Sequence, residues 1–88
     1  MKKVYKLVWK KRAEKYLLKM NYRYAYKIRK SMKEIAKGNI ENMDIKREKG
    51  EINKYRFRIG DYRVIYEKLN TILTITVEKV GSRGDVYK

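Results

Sequence analysis

The stretch from Tyr55 to Tyr66, with the sequence YRFRIGDYRVIY, constrains the fold of this chain more than any other. Apolar residues alternate with polar ones at the two-residue period of a β-strand on both sides of Gly60 and Asp61. Glycine accepts a positive φ at no steric cost and aspartate tolerates turn geometry, so this pair predicts a tight turn between two antiparallel strands. The hairpin would bury one face and gather three arginines on the other: Arg56, Arg58 and Arg63. The alternative is that these arginines form only the solvated side of a half-exposed sheet.

The charge of the chain is distributed unevenly. Of 88 residues, 25 are basic and 10 are acidic, which gives a net charge of +15. Residues 1–37 hold 14 of the bases and 2 of the acids. A surface this positive favours a polyanionic partner, above all nucleic acid, because binding releases condensed counterions. An anionic membrane surface is the weaker alternative.

The absence of cysteine and histidine from the sequence limits the available chemistry. Disulfides, thiol nucleophiles, imidazole bases and the usual zinc sites are all excluded. Catalysis would have to use lysine, arginine, tyrosine, aspartate or glutamate. The sequence shows no apolar run of signal-peptide length and no membrane-spanning stretch, so we expect a cytoplasmic protein that does not associate with membranes.

The hydrophobic pattern predicts one domain over residues 1–88, beginning with a strand and two helices. Val4 to Trp9 alternates as a strand. Apolar residues then recur every three to four positions from Lys10 to Asn21, and again from Tyr22 to Lys37, which predicts a helical hairpin. Gly38 is the expected end of the second helix.

The remainder of the chain predicts three further strands. Residues 38–50 are interpreted as a connection, the two strands of the arginine hairpin follow, residues 67–71 are expected to turn, and Ile72 to Val80 forms the last strand. The sequence therefore predicts an α+β fold of order β-α-α-β-β-β. Its helical hairpin would pack on a mainly antiparallel four-stranded sheet.

The predicted helical hairpin carries many bases and only two acids, Glu14 and Glu34. A solvated face normally mixes both signs, so this excess favours a surface that binds a polyanion over one that only keeps the protein soluble. Three tyrosines, Tyr22, Tyr24 and Tyr26, alternate along the second helix, so at least one must be exposed and free to stack on a base or a partner side chain. The residues predicted to contact RNA or the ribosome are Lys10, Lys11, Lys15, Lys19, Lys27, Arg29, Lys30, Lys33 and Lys49.

Three segments, together with the helical hairpin, resemble the RelE toxins of the RelE/ParE superfamily over essentially the whole chain. They are Lys49-Gly50, YRFRIGDYRVIY and VEKVGSRGDVY. The resemblance implies a microbial-ribonuclease-like fold and the toxin of a type II toxin–antitoxin system. Such a toxin is an endoribonuclease that enters the ribosomal A site and cuts mRNA there. A RelB-like antitoxin holds it inactive, with a higher-order toxin–antitoxin assembly as a further option.

The resemblance also implies the catalytic residues. Arg56 and Arg58 match two basic residues of the second strand, Arg63 an arginine of the third, Arg83 the arginine after the last strand, and Tyr87 a tyrosine near the end. The second-strand pair is commonly lysine in RelE toxins, and arginine is too basic to accept a proton. Tyr87 is then the acceptor at a matching position, provided that nearby cations lower its pKa from about 10.

The implied reaction is attack of a ribose 2′-hydroxyl on the adjacent phosphate. It needs in-line orientation, stabilisation of the added negative charge and two proton transfers, and it requires no metal or cofactor. Two alternatives remain: a ParE-like toxin that poisons DNA gyrase, and a non-catalytic RNA-binding module.

Overall fold

A computed structural model describes residues 3–82 and shows two helices on one side of a five-stranded sheet. The sheet order is β1-β5-β4-β3-β2; β1 is parallel to β5, and the other neighbours are antiparallel. The predicted α+β class, helical hairpin and antiparallel strands are confirmed. The elements are β1 Lys6–Trp9, α1 Lys11–Lys19, α2 Tyr22–Ala36, β2 Asp44–Arg47, β3 Lys54–Ile59, β4 Tyr62–Leu69 and β5 Thr74–Ser82.

The prediction of four strands is wrong, because residues 38–50 contain a strand of their own. Within the described part of the chain, β2 is an edge strand that pairs only with β3, with Ile45 opposite Phe57. An edge strand can satisfy half of its backbone groups with water and needs little apolar surface. Its sequence, Asp-Ile-Lys-Arg, therefore contains one apolar residue and gives a weak strand signal.

The predicted turn at residues 67–71 lies too early in the chain. β4 continues to Leu69, and β5 begins only at Thr74. Ile72 is exposed and Leu73 has a φ of 45°, so both belong to the turn although their side chains are typical of strands. Propensity failed here because the pairing of Leu69 with Thr74 fixes where the two strands separate.

Helix α2 begins and ends where the sequence predicts. The Asn21 side chain accepts a hydrogen bond of 2.9 Å from the backbone N–H of Arg23, which satisfies one of the free donors at the helix start. Gly38, with a φ of 84°, follows the last turn and lets the chain leave the helix. The residues that α2 buries are Ala25, Ile28, Met32, Ile35 and Ala36, as predicted.

The hydrophobic core lies between the helical hairpin and one face of the sheet. On β3 and β4 the residues of this face are those that the alternation predicted, including the buried Phe57, Val64 and Tyr66. We call the opposite side of the sheet the open face, and it carries Arg56 and Arg58. Within residues 3–82, no helix is long and apolar enough to cross a membrane.

The α2 helix also contacts the turn of the arginine hairpin. Gly60 has a φ of 57°, and a Cβ atom there would lie 3.3 Å from Cε1 of Tyr24. The Tyr24 ring in turn packs on Tyr62 with their centroids 5.1 Å apart. Tyr22 and Tyr26 are 75% and 65% exposed, which confirms that the three tyrosines cannot all be buried. Tyr24 therefore braces the turn, and the other two tyrosines face outward.

Candidate functional site

The strand register brings three of the predicted site residues together on the open face. Arg58 on β3 is directly opposite Arg63 on β4, and Arg56 lies two residues earlier on β3. Side chains directly opposite each other on antiparallel strands have Cβ atoms about 5 Å apart. The three guanidinium groups therefore form one compact group, which we call the arginine cluster.

Strand β2 adds two residues to this cluster that sequence reasoning missed. Asp44 is opposite Arg58, and Lys46 is opposite Arg56. Together with the arginine cluster they line a solvent-open cavity of about 140 Å³, which we call the arginine cavity. The sequence feature that could have indicated these two residues is the alternation of polar residues around Ile45. A strand of four residues is too short for that alternation to predict a strand.

One guanidinium nitrogen of the arginine cluster has no hydrogen-bond partner among the described residues. Nη1 of Arg63 is buried and makes no hydrogen bond within residues 3–82. A buried cationic donor without an acceptor is costly, because it has lost its water without gaining a replacement. An anion bound in the cavity would supply that acceptor, and arginine binds phosphate and carboxylate groups with strong, charge-assisted hydrogen bonds.

The charges around the arginine cavity are mostly positive. Its lining has four cations and one carboxylate, that of Asp44. Nε of Arg56 also lies 3.8 Å from Oε1 of Glu48, which offsets part of one charge from outside the cavity. Within residues 3–82, no group of three or more acidic residues is placed to hold a metal ion. The cavity is suited to an anion of phosphate size.

A second cavity of about 190 Å³ lies on the open face, and its lining includes Glu78 together with two other acidic and three basic residues. The carboxylate of Glu78 accepts contacts from Nζ of Lys54 at 3.0 Å and Nζ of Lys10 at 3.4 Å. Nε of Arg12 donates to the Glu78 carbonyl at 2.8 Å. A shift in the β4–β5 register places Glu78 and Lys79 together along this cavity.

Glu78 is only 7% exposed, yet it remains a carboxylate. Burial by itself would raise the pKa of the Glu78 carboxyl group. The hydrogen bond and charge of Lys54, with those of Lys10, outweigh burial and lower this pKa below its ordinary value. The hydrogen bond that Lys54 donates to the Glu78 carboxylate in turn raises the pKa of Lys54.

Stability should therefore fall in acid through Glu78. The pKa of Glu78 is lower in the folded chain than in the unfolded chain. Glu78 therefore stabilises the fold at pH values above its unfolded pKa of about 4.3, and this stabilisation is lost as the pH falls through its folded pKa. In thermal unfolding between pH 7 and 3, the stability of Glu78→Gln should decrease less on acidification than the stability of the parent. Glu41→Gln, at an exposed loop position, is the control and should leave the pH profile unchanged. Equal profiles for Glu78→Gln and the parent would show that the pair contributes no pH-dependent stability.

Most of the residues predicted to contact RNA or the ribosome are exposed. Three of them make other contacts: Lys10 with Glu78, Arg29 in an ion pair with Glu14, and Lys27, whose Nζ lies 5.4 Å from the centroid of the Tyr24 ring. The Arg29 guanidinium also lies 5.3 Å from the centroid of the Trp9 ring. The exposed members are Lys11, Lys15, Lys19, Lys27, Lys30 and Lys33 on the helical hairpin and Lys49 in the loop before β3.

Two predicted catalytic residues, Arg83 and Tyr87, lie outside the described residues. The described part of β5 ends at Gly81 and Ser82, which pair with Arg63 and Tyr62. The last described position of the chain is therefore beside the arginine cluster. The roles of Arg83 and Tyr87 rest on the sequence resemblance.

Solved structures of toxins share this fold. A RelE–RelB complex from Pyrococcus horikoshii OT3 matches with a TM-score of 0.78 and 24% identity, over 93% of this chain and 98% of that chain. A RelB–RelE complex from Methanococcus jannaschii gives 0.76 and 27%, over 91% and 94%. The isolated E. coli RelE toxin gives 0.72 and 22%, over 96% and 92%.

The sequence itself matches one family model and no curated protein. Comparison with curated proteins gives no significant match. The family described as "ParE toxin of type II toxin-antitoxin system, parDE" matches residues 7–87. That match spans nearly the whole chain, and the shared fold agrees with it. The chain therefore belongs to the ParE toxin family of type II toxin–antitoxin systems, within the RelE/ParE superfamily.

Proposed function

We propose that this toxin is a ribosome-dependent endoribonuclease that cuts mRNA in the A site. The observation that carries the proposal is the arginine cavity, in which Nη1 of Arg63 is buried without an acceptor among residues 3–82. The phosphodiester of an RNA chain is an anion of suitable size, and its charge increases during attack by the 2′-hydroxyl. A site that already holds unpaired positive charge stabilises that increase with little reorganisation.

The arginine cluster would bind the phosphate. The resemblance implies that Arg83 joins this cluster and that Tyr87 takes part in proton transfer. Arg58 and Arg63 lie side by side and can bind two non-bridging oxygens of one phosphate. Arg56 lies two residues along β3 and would bind the same or the next phosphate. Messenger RNA held in this way would be oriented for in-line attack, which accounts for much of the catalysis of such reactions.

A second function, poisoning of DNA gyrase, is favoured by the family description, which names a ParE toxin. The structural matches are to RelE toxins, several of them at under 25% identity, and such likeness concerns the fold alone. The arginine cavity favours the nuclease, because a toxin that acts by binding gyrase has no need of a phosphate-sized cationic site.

Purified toxin added to translating ribosomes should separate these functions. We expect new RNA ends that are in phase with the codons, and no cleavage of the same message without ribosomes. Supercoiling by purified gyrase should be unaffected at the same toxin concentration. Intact message together with inhibited gyrase would establish the second function instead. RNA that is bound but uncut in both assays would indicate a binding module.

We further propose that the exposed lysines of the helical hairpin bind ribosomal RNA. Lys27→Glu with Lys30→Glu should weaken ribosome binding and reduce its log–log salt slope by about 0.7 to 0.9 for each lost phosphate contact. The positions of the cuts should not change, because these lysines lie outside the arginine cavity. Ribosome pelleting across a salt series measures both quantities.

The matched control reverses two lysines elsewhere, at Lys3 and Lys6, which are exposed and precede the helices. It makes the same change in net charge. If both double variants lose affinity equally, the effect comes from total charge and the hairpin has no special role in ribosome binding.

A RelB-like antitoxin is the partner we propose, since several matching structures are RelB–RelE complexes. Exposed apolar side chains support a protein partner, among them Leu18 and Tyr22, which are each 75% exposed. Co-expression of the toxin with the product of the adjacent reading frame should give a complex that survives purification and restores growth. Recovery of free toxin and unrelieved growth arrest would contradict this proposal.

A further inference from the structure

The arginines of the arginine cavity can stabilise negative charge on a phosphate, but they cannot transfer protons. Cleavage by a 2′-hydroxyl needs an acceptor for the hydroxyl proton and a donor for the leaving 5′-oxygen. Arginine serves neither need, because its guanidinium stays protonated at any physiological pH. Two other residues line the cavity, Asp44 and Lys46, and both can exchange a proton.

Two other acidic groups near the open face already contact cations. Glu48 lies 3.8 Å from Arg56, and Glu78 is held between Lys10 and Lys54. Asp44 differs from them, since its carboxylate makes no ion pair or side-chain hydrogen bond with the residues between 3 and 82. Its carboxylate lines the cavity beside Lys46 and the arginine cluster.

The sheet register places Asp44 and Lys46 in adjacent rows of the arginine cavity. Asp44 lies in one row across the sheet with Arg58 and Arg63, and Lys46 lies in the next row with Arg56. Residues two apart on a strand have Cα atoms roughly 6.7 Å apart. With the scissile phosphate between the rows, the attacking 2′-oxygen of the ribose could lie within about 3 Å of one group and the leaving 5′-oxygen within about 3 Å of the other.

We propose that β2 supplies the proton-transfer pair of this toxin, with Asp44 as acceptor and Lys46 as donor, in place of the proton-transfer role that the resemblance implies for Tyr87. This inference rests on the proposed endoribonuclease function. The 2′-oxygen forms a bond to phosphorus while its proton passes to the Asp44 carboxylate. The bond from phosphorus to the 5′-oxygen breaks, and that oxygen takes a proton from the Lys46 ammonium group. The products are a 2′,3′-cyclic phosphate and a 5′-hydroxyl, and exchange with water restores both side chains.

Electrostatics and proton transfer predict opposite results for Asp44. If its charge only repels the phosphate, removing that charge should strengthen RNA binding and leave cleavage equal or faster. If it accepts the proton, removing the charge should strengthen binding and still slow cleavage. The direction of the rate change therefore decides between the two roles.

The first test is Asp44→Asn, assayed by single-turnover cleavage on programmed ribosomes at saturating toxin. We expect a loss of about a hundredfold or more in rate, with ribosome affinity unchanged or improved. Asp44→Glu, which keeps a carboxylate, should recover part of the rate. Glu41→Gln makes the same charge change in the loop before β2 and should cut at the parental rate. A parental rate for Asp44→Asn would overturn the role of Asp44.

The second test uses Lys46→Arg, which keeps the positive charge and removes a usable proton donor. It should slow cleavage of normal mRNA about a hundredfold. It should cut at close to the parental rate when the scissile 5′-oxygen is replaced by sulfur, because a thiolate leaves without being protonated. An equal deficit on both substrates would show that Lys46 does not donate the proton.

The parent toxin must be measured on both substrates first, which separates the two proposals. If the parent cuts no RNA on ribosomes, the proposed function fails and this inference fails with it. If the parent cuts, and both Asp44→Asn and Lys46→Arg cut as it does, the function stands and only the assignment to β2 is overturned.

Discussion

Replacing Arg63 with alanine is expected to slow RNA cleavage by about 100- to 1,000-fold, which corresponds to roughly 3 to 4 kcal/mol of transition-state stabilisation. Arg63 is the member of the arginine cluster that carries a buried nitrogen without a partner among residues 3–82, so it has the most to contribute to an incoming phosphate. Arg63→Lys keeps one charge but loses the forked donor geometry, and its rate should be intermediate.

The same substitution should not destabilise the fold. A buried donor without an acceptor opposes folding, so removing Arg63 removes an unfavourable term along with some packing. We expect the thermal midpoint of Arg63→Ala to equal or exceed that of the parent. Loss of activity without loss of stability is typical of residues kept for function.

Single-turnover cleavage at saturating ribosome concentration, combined with thermal unfolding, tests both expectations. Arg23→Ala is a suitable control, since Arg23 is an exposed arginine on α2, outside the arginine cavity. It should cut at close to the parental rate under these conditions. An Arg63→Ala variant that cuts like the parent would mean that the cavity is not the reaction site. A large fall in its thermal midpoint would give Arg63 a structural role instead.

The arginine hairpin could be predicted because its signal is local. Alternation, a Gly-Asp turn and basic residues on one face occur within twelve positions, and the register that aligns Arg58 with Arg63 follows from the turn length. The second helix could also be predicted from local signals, namely a side-chain cap at Asn21 and an end at Gly38.

The contribution of β2 could not be predicted, because it depends on pairing across the chain. Asp44 and Lys46 reach the arginine cavity only because β2 lies beside β3, and a polar four-residue edge strand carries little hydrophobic pattern. The burial of Glu78 could not be predicted for a related reason. The sequence placed it on a strand face, whereas its burial depends on the β4–β5 register shift and on Lys10 and Lys54, which are distant in sequence.

Ile28→Ala should have a large effect on stability, because Ile28 is 0% exposed in the hydrophobic core between the helices and the sheet. Truncating a buried isoleucine costs about 2 to 5 kcal/mol from lost burial and the cavity left behind. Small domains are stable by only about 5 to 15 kcal/mol, so this is a large share of the total. The thermal midpoint should fall by roughly 10 to 30 °C.

Ile52→Ala is the matched control, since it is the same chemical change at a side chain that is 77% exposed. Its free energy of unfolding should stay within about 0.5 kcal/mol of the parental value. An unaltered midpoint for Ile28→Ala would mean that α2 does not pack on the sheet as described. The comparison also bears on growth assays: Ile28→Ala should relieve growth arrest by depleting folded toxin, whereas Arg63→Ala should relieve it with the folded toxin intact. Only the second kind of variant identifies the reaction site, so thermal unfolding has to accompany every loss of toxicity.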